Sequence, residues 1–154
     1  MDFEKIRMAD NINLEYDVSG EEFSLAGEAS VDLKKRLKLM GIPPACIRRA
    51  TIALYEAEIN MVIHSEGGVI SVEINPEYIL MYVKDTGPGI EDIELAMREG
   101  YSTASQEIRN LGFGAGMGLP NIKKYTDELN ISSELGVGTV IEMKVYLQKA
   151  VSID

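Results

Sequence analysis

The sequence predicts an α/β two-layer sandwich, with helices packed on one face of a mostly antiparallel sheet. Three segments repeat apolar residues at the spacing of a helix face, and five shorter segments have the apolar pattern of strands. Short turn sequences join two pairs of these strands, which favours antiparallel pairing. Helices and a sheet of this kind bury their apolar faces against each other, and that arrangement gives two layers.

The first elements are a strand and a helix. Apolar and polar residues alternate over residues 12–17, which predicts a strand. Ser19 followed by Glu22 has the pattern of a capping box, so the helix is predicted to begin at Ser19. It ends before Gly41 and two prolines. Its apolar stripe consists of Ala26, Ala29, Leu33, Leu37 and Met40.

The central elements are a long helix and two strands. The helix is predicted from about Pro44 to Ser65. Strands at 69–74 and 78–84 follow, and Asn75-Pro76 turns the chain between them. A short helix is predicted near Glu91–Arg98.

The last third of the chain predicts a loop, a helix and a hairpin. Residues 99–118 are polar and rich in glycine. The helix that follows has the apolar positions Leu119, Ile122, Tyr125 and Leu129. Strands at 130–133 and 139–147 then form a hairpin that turns at Gly136-Val137-Gly138.

The bulk properties restrict the classes of function. A length of 154 residues predicts a single domain over residues 1–154. The net charge of −10, without a long basic block, argues against nucleic acid as a direct partner. The first residues lack the basic start and apolar run that are typical of a signal peptide, and no apolar stretch has membrane-spanning length. The one cysteine fits a reducing compartment. We therefore expect a soluble cytoplasmic protein without a membrane partner.

The long helix has polar residues in two places. Its rotation of about 100 degrees per residue puts one group on the expected solvated face. This group consists of Arg48, Thr51, Glu58 and Glu66. Glu56 and Asn60 lie nearly opposite Glu58 among apolar neighbours, and their spacing stacks them within about 6 Å at Cβ. They are either a carboxylate base beside an amide that can hold Mg²⁺, or an ordinary hydrogen bond on a helix face.

A second unusual residue ends the strand at 78–84. The alternation that puts Val83 on the inner face also points Asp85 inward. Gly87 and Gly89 follow, so the backbone can approach a ligand closely. An inward Asp85 can accept a hydrogen bond from an adenine amino group, and an ordinary turn is the alternative. Thr139 has the same inward parity in the last strand and can meet the same ligand.

A third feature is a glycine run. Four glycines stand at alternate positions in Gly112–Gly118, directly before a helix. Such a segment can surround phosphate with backbone N–H groups, and the helix N-terminus adds positive potential. The run is neither a Walker loop nor a dinucleotide fingerprint. Taken alone, it is also explained by a flexible surface loop.

In order and spacing, these motifs together resemble the GHKL ATPase superfamily, which includes gyrase-type, MutL-type and histidine-kinase ATP sites. The motifs are Glu56-x-x-x-Asn60, Asp85-x-Gly87-x-Gly89, the run Gly112–Gly118 and Gly138-Thr139. The resemblance covers nearly the whole chain and implies a Bergerat-type ATP-binding fold. Within the superfamily, Gly100–Thr103 and Ser133–Thr139 look like the anti-sigma-factor serine/threonine kinases. The stretch Gly114–Lys124 is most similar to the switch kinase of the stressosome.

The resemblance implies ATP and Mg²⁺ as ligands. Glu56 would activate the attacking hydroxyl, Asn60 would help to bind Mg²⁺, and Asp85 would bind the adenine amino group. Residues 102–118 would form a lid over the phosphates. The implied ATP-binding set is Asn60, Asp85, Gly87, Gly89, Ser102, Thr103, Gly112, Gly114, Gly116, Met117, Gly118, Leu119 and Thr139.

The lid departs from the compact switch-kinase pattern. Ala104–Leu111 is longer and carries charges. Within it, Arg109 either reaches the γ-phosphate or remains a solvated loop charge. Lid closure and substrate choice are the properties that this departure affects.

The function that the resemblance implies is an ATP-dependent serine/threonine protein kinase. Its substrate would be a small antagonist (STAS-like) protein bearing a phosphorylatable serine, and the kinase would thereby control a sigma factor. An ATP-gated module that binds its partner without phosphorylating it is the alternative. A detached histidine-kinase domain would require phosphorylation of His64, which lies inside the Glu56/Asn60 helix. The oligomeric state is left open, with a homodimer among the alternatives.

Overall fold

The computed structural model describes residues 11–19, 27–64, 67–90, 93–97 and 118–147. In chain order, the elements within these ranges are β1 (Ile12–Ser19), α1 (Glu28–Leu39), α2 (Pro44–His64), β2 (Gly67–Ile74), β3 (Tyr78–Asp85), α3 (Ile93–Ala96), α4 (Gly118–Tyr125), β4 (Glu128–Glu134) and β5 (Gly138–Tyr146). All five predicted strands are present, and their ends lie within two residues of the predicted ends.

The strands form one sheet in the order β1-β2-β3-β5-β4, and every neighbouring pair is antiparallel. Buried apolar residues alternate along β2, β3 and β5, because successive side chains of a strand point to opposite faces. Helix α2 packs on this buried face and also contacts α1 and α4. The predicted two-layer sandwich, with helices on one face of the sheet, is confirmed.

Helix α1 begins later than predicted. Ser19 is the last residue of β1, and the N-cap of α1 is Gly27, whose φ of 100° lies in the left-handed region. The Ser19 pattern therefore does not start this helix, and Glu22 lies outside the described residues. The start of α1 predicted from the local capping pattern is wrong, because the side chain that caps this helix comes from another helix.

That cap is Glu58 of α2, which was predicted to face solvent. Its side chain is 1% exposed, and its carboxylate accepts backbone N–H groups from Gly27 at 2.9 Å, Ala29 at 3.1 Å and Ser30 at 3.1 Å. The first turn of a helix leaves such N–H groups unpaired and carries partial positive charge. The prediction was wrong because helical periodicity locates a face but does not reveal which neighbouring element covers it.

The fourth helix is also shorter than predicted. It ends at Tyr125, whereas Leu129, assigned above to its apolar stripe, belongs to β4. Leu119 and Ile122 are the positions of α4 that are buried. Within the described part of the chain, no helix combines the length and apolar character needed to cross a bilayer.

Candidate nucleotide site

The C-terminal part of α2 carries Glu56 and Asn60 to one end of the sheet. Both residues are partly buried, and their spacing puts them on one side of the helix. Only residues 65 and 66 separate α2 from β2, so the two elements are at most about 11 Å apart along the chain. Near the start of β2, Gly68 pairs with Asp85. The end of α2 and the end of β3 that carries Asp85 therefore lie at the same end of the sandwich.

Glu56 is held from α4. The Nδ2 atom of Asn121 donates a hydrogen bond of 2.7 Å to Oε2 of Glu56. Asn121 stands three residues after Gly118, which is both the last glycine of the run and the first residue of α4. Because Leu119 and Ile122 bury one side of α4 in the core, the rotation of this helix is fixed. Asn121 was not among the predicted site residues, and its position in the first turn after the glycine run is the signal that could have found it.

Asp85 ends β3 with a partly buried side chain. Its Oδ1 accepts the backbone N–H of Thr139 at 3.0 Å, and none of the described residues hydrogen-bonds its Oδ2. Burial raises the pKa of Asp85, and the Thr139 N–H, which favours the charged form, offsets part of that rise. One carboxylate oxygen is thus engaged in the sheet, and the other is left as an acceptor. The inward placement predicted for Asp85 and Thr139 agrees with this geometry.

Two glycines let the neighbouring strands approach the end of β3. A Cβ on Gly138 would collide with the carbonyl oxygen of Asp85, and a Cβ on Gly68 would collide with the carbonyl oxygen of Lys84. Gly138 also has a φ of 149°, which L side chains rarely adopt. The glycine of the Gly138-Thr139 motif thus has a steric explanation, because a residue without a side chain makes room for the Asp85 backbone.

The loop after β3, residues 86–90, rests on the β4–β5 turn. Gly89 has a φ of 82°, and a Cβ there would stand 2.7 Å from the carbonyl oxygen of Glu134. The N–H of Gly136 donates to the carbonyl of Pro88 at 2.9 Å. The close backbone approach that the sequence suggested at Gly89 is therefore made to the hairpin. Gly87 lies in the same loop and is partly buried.

Ser133 joins this loop to the hairpin and was not predicted as a site residue. Its Oγ accepts the N–H of Ile90 at 2.7 Å and lies 2.8 Å from the Oγ1 atom of Thr139. Ser133 and Thr139 are directly opposite each other in the β4–β5 register. The turn occupies residues 135–137, one residue earlier than predicted, and Gly138 is already the first residue of β5. The pairing that this turn imposes is the signal that could have marked Ser133.

Part of the predicted site lies outside the described residues. This part consists of Ser102, Thr103, Gly112, Gly114, Gly116 and Met117, together with Arg109 of the longer lid segment. The side chain of His64, at the end of α2, is not described either. Leu119 is described, but its side chain is 6% exposed and belongs to the core, which leaves only its backbone for a ligand.

The side-chain oxygens of the described site residues would fit a metal ion only if a bound nucleotide supplied further ligands. Among the described residues, no group of three or more His, Cys, Asp or Glu side chains could hold a metal ion. Mg²⁺ commonly uses one or two protein oxygens, and phosphates and water supply its other ligands. The amide oxygen of Asn60 is of the right chemical type for such a role.

Comparison with known proteins agrees with these features. Residues 47–149 match the family model described as histidine kinase-, DNA gyrase B-, and HSP90-like ATPase. In fold, the chain is similar to a chain of the SiaB–SiaC complex from Pseudomonas aeruginosa, with a TM-score of 0.52 and 13% identity, over 94% of this chain and 93% of that one.

Two curated relatives have more specific names. An anti-sigma F factor from Thermoanaerobacter sp. (strain X514) is 37% identical over 100 residues, which cover 62% of this chain and 66% of that protein. The serine/threonine-protein kinase RsbT from Bacillus subtilis (strain 168) is 32% identical over 104 residues, which cover 65% of this chain and 72% of RsbT. The match thus spans just under two thirds of the length of the anti-sigma F factor. With a family model that covers most of its length, this chain belongs to the GHKL family, the histidine kinase-, DNA gyrase B- and HSP90-like ATPases.

Proposed function

We propose that this protein is an ATP-dependent serine/threonine protein kinase of the anti-sigma regulatory type. Its substrate is a small antagonist (STAS-like) protein with a phosphorylatable serine, through which it controls a sigma factor. The observation that carries the proposal is Glu56, a partly buried carboxylate one turn from Asn60 that accepts a 2.7 Å hydrogen bond from Asn121. The names of two relatives, a serine/threonine-protein kinase and an anti-sigma F factor, support the same conclusion.

Membership of an ATPase family implies ATP as the nucleotide. In the proposed site, Asp85 accepts a hydrogen bond from the adenine amino group, and Thr139 completes that end beside the loop of Gly87 and Gly89. Asn60 provides an oxygen for Mg²⁺. The backbone of Gly112–Gly118 surrounds the phosphates, as the positive end of α4 favours. We further propose that residues 1–154 form one domain around this site.

The proposed chemistry assigns Glu56 as the general base. Phosphoryl transfer depends mainly on positioning and on electrostatic stabilisation, to which Mg²⁺ contributes charge when it is bound. As the serine oxygen of the antagonist bonds to the γ-phosphorus, its proton passes to the Glu56 carboxylate. The bond between the γ-phosphorus and the β,γ-bridging oxygen breaks, and ADP leaves with that oxygen. The Asn121 amide engages Oε2 and restricts rotation of the carboxylate, so Oε1 remains for the substrate hydroxyl.

The test is a phosphoryl-transfer assay with purified protein, Mg-ATP and STAS-like antagonist proteins from the same organism. We expect phosphate on an antagonist serine, and we expect Glu56→Gln to lower kcat by roughly 100-fold or more with unchanged ADP affinity. Glu77→Gln, at an exposed turn position, is the matched control. Absence of transfer by the wild-type protein would overturn the kinase proposal. Phosphate recovered on His64 would indicate a detached histidine-kinase domain instead.

The name of the anti-sigma F factor relative favours a second function, an ATP-gated module that binds its partner without phosphorylating it. A pull-down in ATP and in ADP separates the two functions. For a pure binding module, Asp85→Asn should abolish ATP-dependent capture of the partner, and Glu56→Gln should leave it intact. The opposite ranking of the two variants would exclude this alternative.

A further inference from the structure

We propose that Ser133 is a positioning residue that makes the site prefer adenine over a 6-oxopurine. It does so by fixing the Thr139 hydroxyl as a hydrogen-bond donor beside the Asp85 carboxylate. The inference rests on the adenine site proposed above and adds to it the basis of its nucleotide specificity. Ser133 itself need not touch the nucleotide, because it acts through Thr139.

The Ser133 hydroxyl has one proton and three close neighbours. Its Oγ accepts the N–H of Ile90 at 2.7 Å, lies 2.8 Å from Thr139 Oγ1, and lies 3.2 Å from the carbonyl oxygen of Gly138. Because a hydroxyl donates only once, the Ser133 proton goes either to Thr139 or to Gly138. The 2.8 Å separation from Thr139 fits a hydrogen bond in either direction, and the 3.2 Å contact with Gly138 is longer than most O–H···O bonds, so our proposal assigns the Ser133 proton to Thr139.

The direction of the Ser133–Thr139 bond decides what Thr139 offers to a ligand. When Ser133 donates to Thr139, the Thr139 proton is available to a third group. When Thr139 donates to Ser133, Thr139 can only accept from a ligand. Thr139 is 4% exposed and β-branched, so its side chain has little freedom to rotate to other partners.

Adenine matches the first of these two states. Its amino group is a donor and its neighbouring N1 is an acceptor, which complement a carboxylate acceptor at Asp85 and a hydroxyl donor at Thr139. The hypoxanthine of inosine nucleotides has an acceptor and a donor at these two positions, the reverse pattern. A Thr139 hydroxyl that is held as a donor therefore favours adenine. A hydroxyl whose proton is free to rotate can donate or accept, and it accommodates either adenine or hypoxanthine.

The loop that borders this site depends on the same atom. The Ile90 N–H reaches Ser133 at the end of the segment that starts at Asp85, and it occupies one lone pair of the Ser133 oxygen. With that lone pair occupied, the Ser133 hydroxyl keeps one proton and one lone pair for its contacts with Thr139 and Gly138. Ser133 thus couples the loop after β3 to the hydroxyl orientation in β5.

The experiment is calorimetric titration of ADP and of inosine diphosphate into wild-type protein and variants. We expect Ser133→Ala to weaken ADP binding about tenfold and to change inosine diphosphate binding by less than about twofold, so that the preference for adenine narrows. Ser133→Thr keeps the hydroxyl and should restore the preference. Ser132→Ala, on the exposed face of the same strand, is the matched control and should change neither affinity.

A double-variant cycle tests whether Ser133 acts through Thr139. Thr139→Val should itself narrow the preference, and adding Ser133→Ala to it should narrow the preference no further. An unchanged preference in folded Ser133→Ala, or equal weakening of both nucleotides, would overturn the role in specificity. If Ser133→Ala fails to fold in a thermal melt, an unchanged preference in Thr139→Val overturns it instead. If wild-type protein binds neither nucleotide, the proposed adenine site itself is contradicted. That result differs from the loss of the Ser133 role alone, in which ADP still binds.

Discussion

The side-chain amide of Asn121 donates a 2.7 Å hydrogen bond to the carboxylate of Glu56 and so joins α4 to α2. Helix α4 starts at Gly118, directly behind the rest of the glycine run. The orientation of the proposed base therefore depends on the helix that follows the proposed phosphate-binding segment. One side chain thus connects the helix after the proposed phosphate-binding segment with the proposed base.

Loss of the Asn121 amide should affect turnover more than nucleotide affinity. In Asn121→Ala the Glu56 carboxylate loses its partner and can adopt other rotamers, so we expect kcat to fall roughly tenfold while KM for ATP changes little. Steady-state phosphorylation of the antagonist measures both constants. Asn130→Ala, an exposed position on β4, is the control. A rise in KM with unchanged kcat would contradict this role of Asn121.

Replacement of Asp85 should have opposite effects on folding stability and on ADP binding at neutral pH. Because burial raises the pKa of Asp85 above its ordinary value of 3.8, its stabilising contribution is complete below that pH and is lost as pH rises through the folded-state pKa. Asp85→Asn removes the ionisation and keeps an oxygen for the Thr139 N–H. We expect its unfolding free energy, relative to wild type, to increase as the pH rises above 3.8 in urea titrations. ADP binding should be lost at neutral pH, and retained binding would contradict the adenine role.

The buried cap supplied by Glu58 should be important for folding stability. In Glu58→Gln, one acceptor oxygen becomes a donor that faces the N–H groups of Gly27, Ala29 and Ser30. We expect a loss of about 2–4 kcal/mol in the free energy of unfolding, measured by chemical denaturation. Glu15→Gln, on the exposed face of β1, should change it by less than about 0.5 kcal/mol. Similar values for the two variants would show that the cap is dispensable.

Two glycines at the β4–β5 connection allow a steric effect on stability to be distinguished from a conformational one. Gly136 and Gly138 both have positive φ, at 80° and 149°, but only a Cβ on Gly138 would meet another backbone group, at Asp85. Gly136→Ala should cost about 1 kcal/mol of unfolding free energy, the usual penalty for a left-handed L residue. Gly138→Ala should cost at least about 2 kcal/mol more and should weaken ADP binding, because β5 must move away from Asp85. Equal losses in paired thermal melts would argue against the steric contact.

Local patterns predicted the elements that repeat regularly. The strands at 69–74 and 78–84 were predicted closely because burial on one face imposes a period of two that is visible in the residues themselves. The start of α1 was predicted wrongly from Ser19 because its real cap, Glu58, is 31 residues away from Gly27. No local rule for helix ends includes a partner at that separation.

The sequence by itself determined the fold class, the family and the candidate residues Glu56, Asn60 and Asp85, because these depend on periodicity and on motif spacing along the chain. Only the tertiary structure decided which other residues these candidates contact. It showed that Asn121 hydrogen-bonds Glu56 and that Thr139 hydrogen-bonds Asp85. It also showed that Ser133 joins Thr139 to Ile90, at the end of the loop after Asp85. Such contacts arise where α2 meets α4 and where β3 meets β5, and they depend on packing geometry between distant segments rather than on any pattern within one of them.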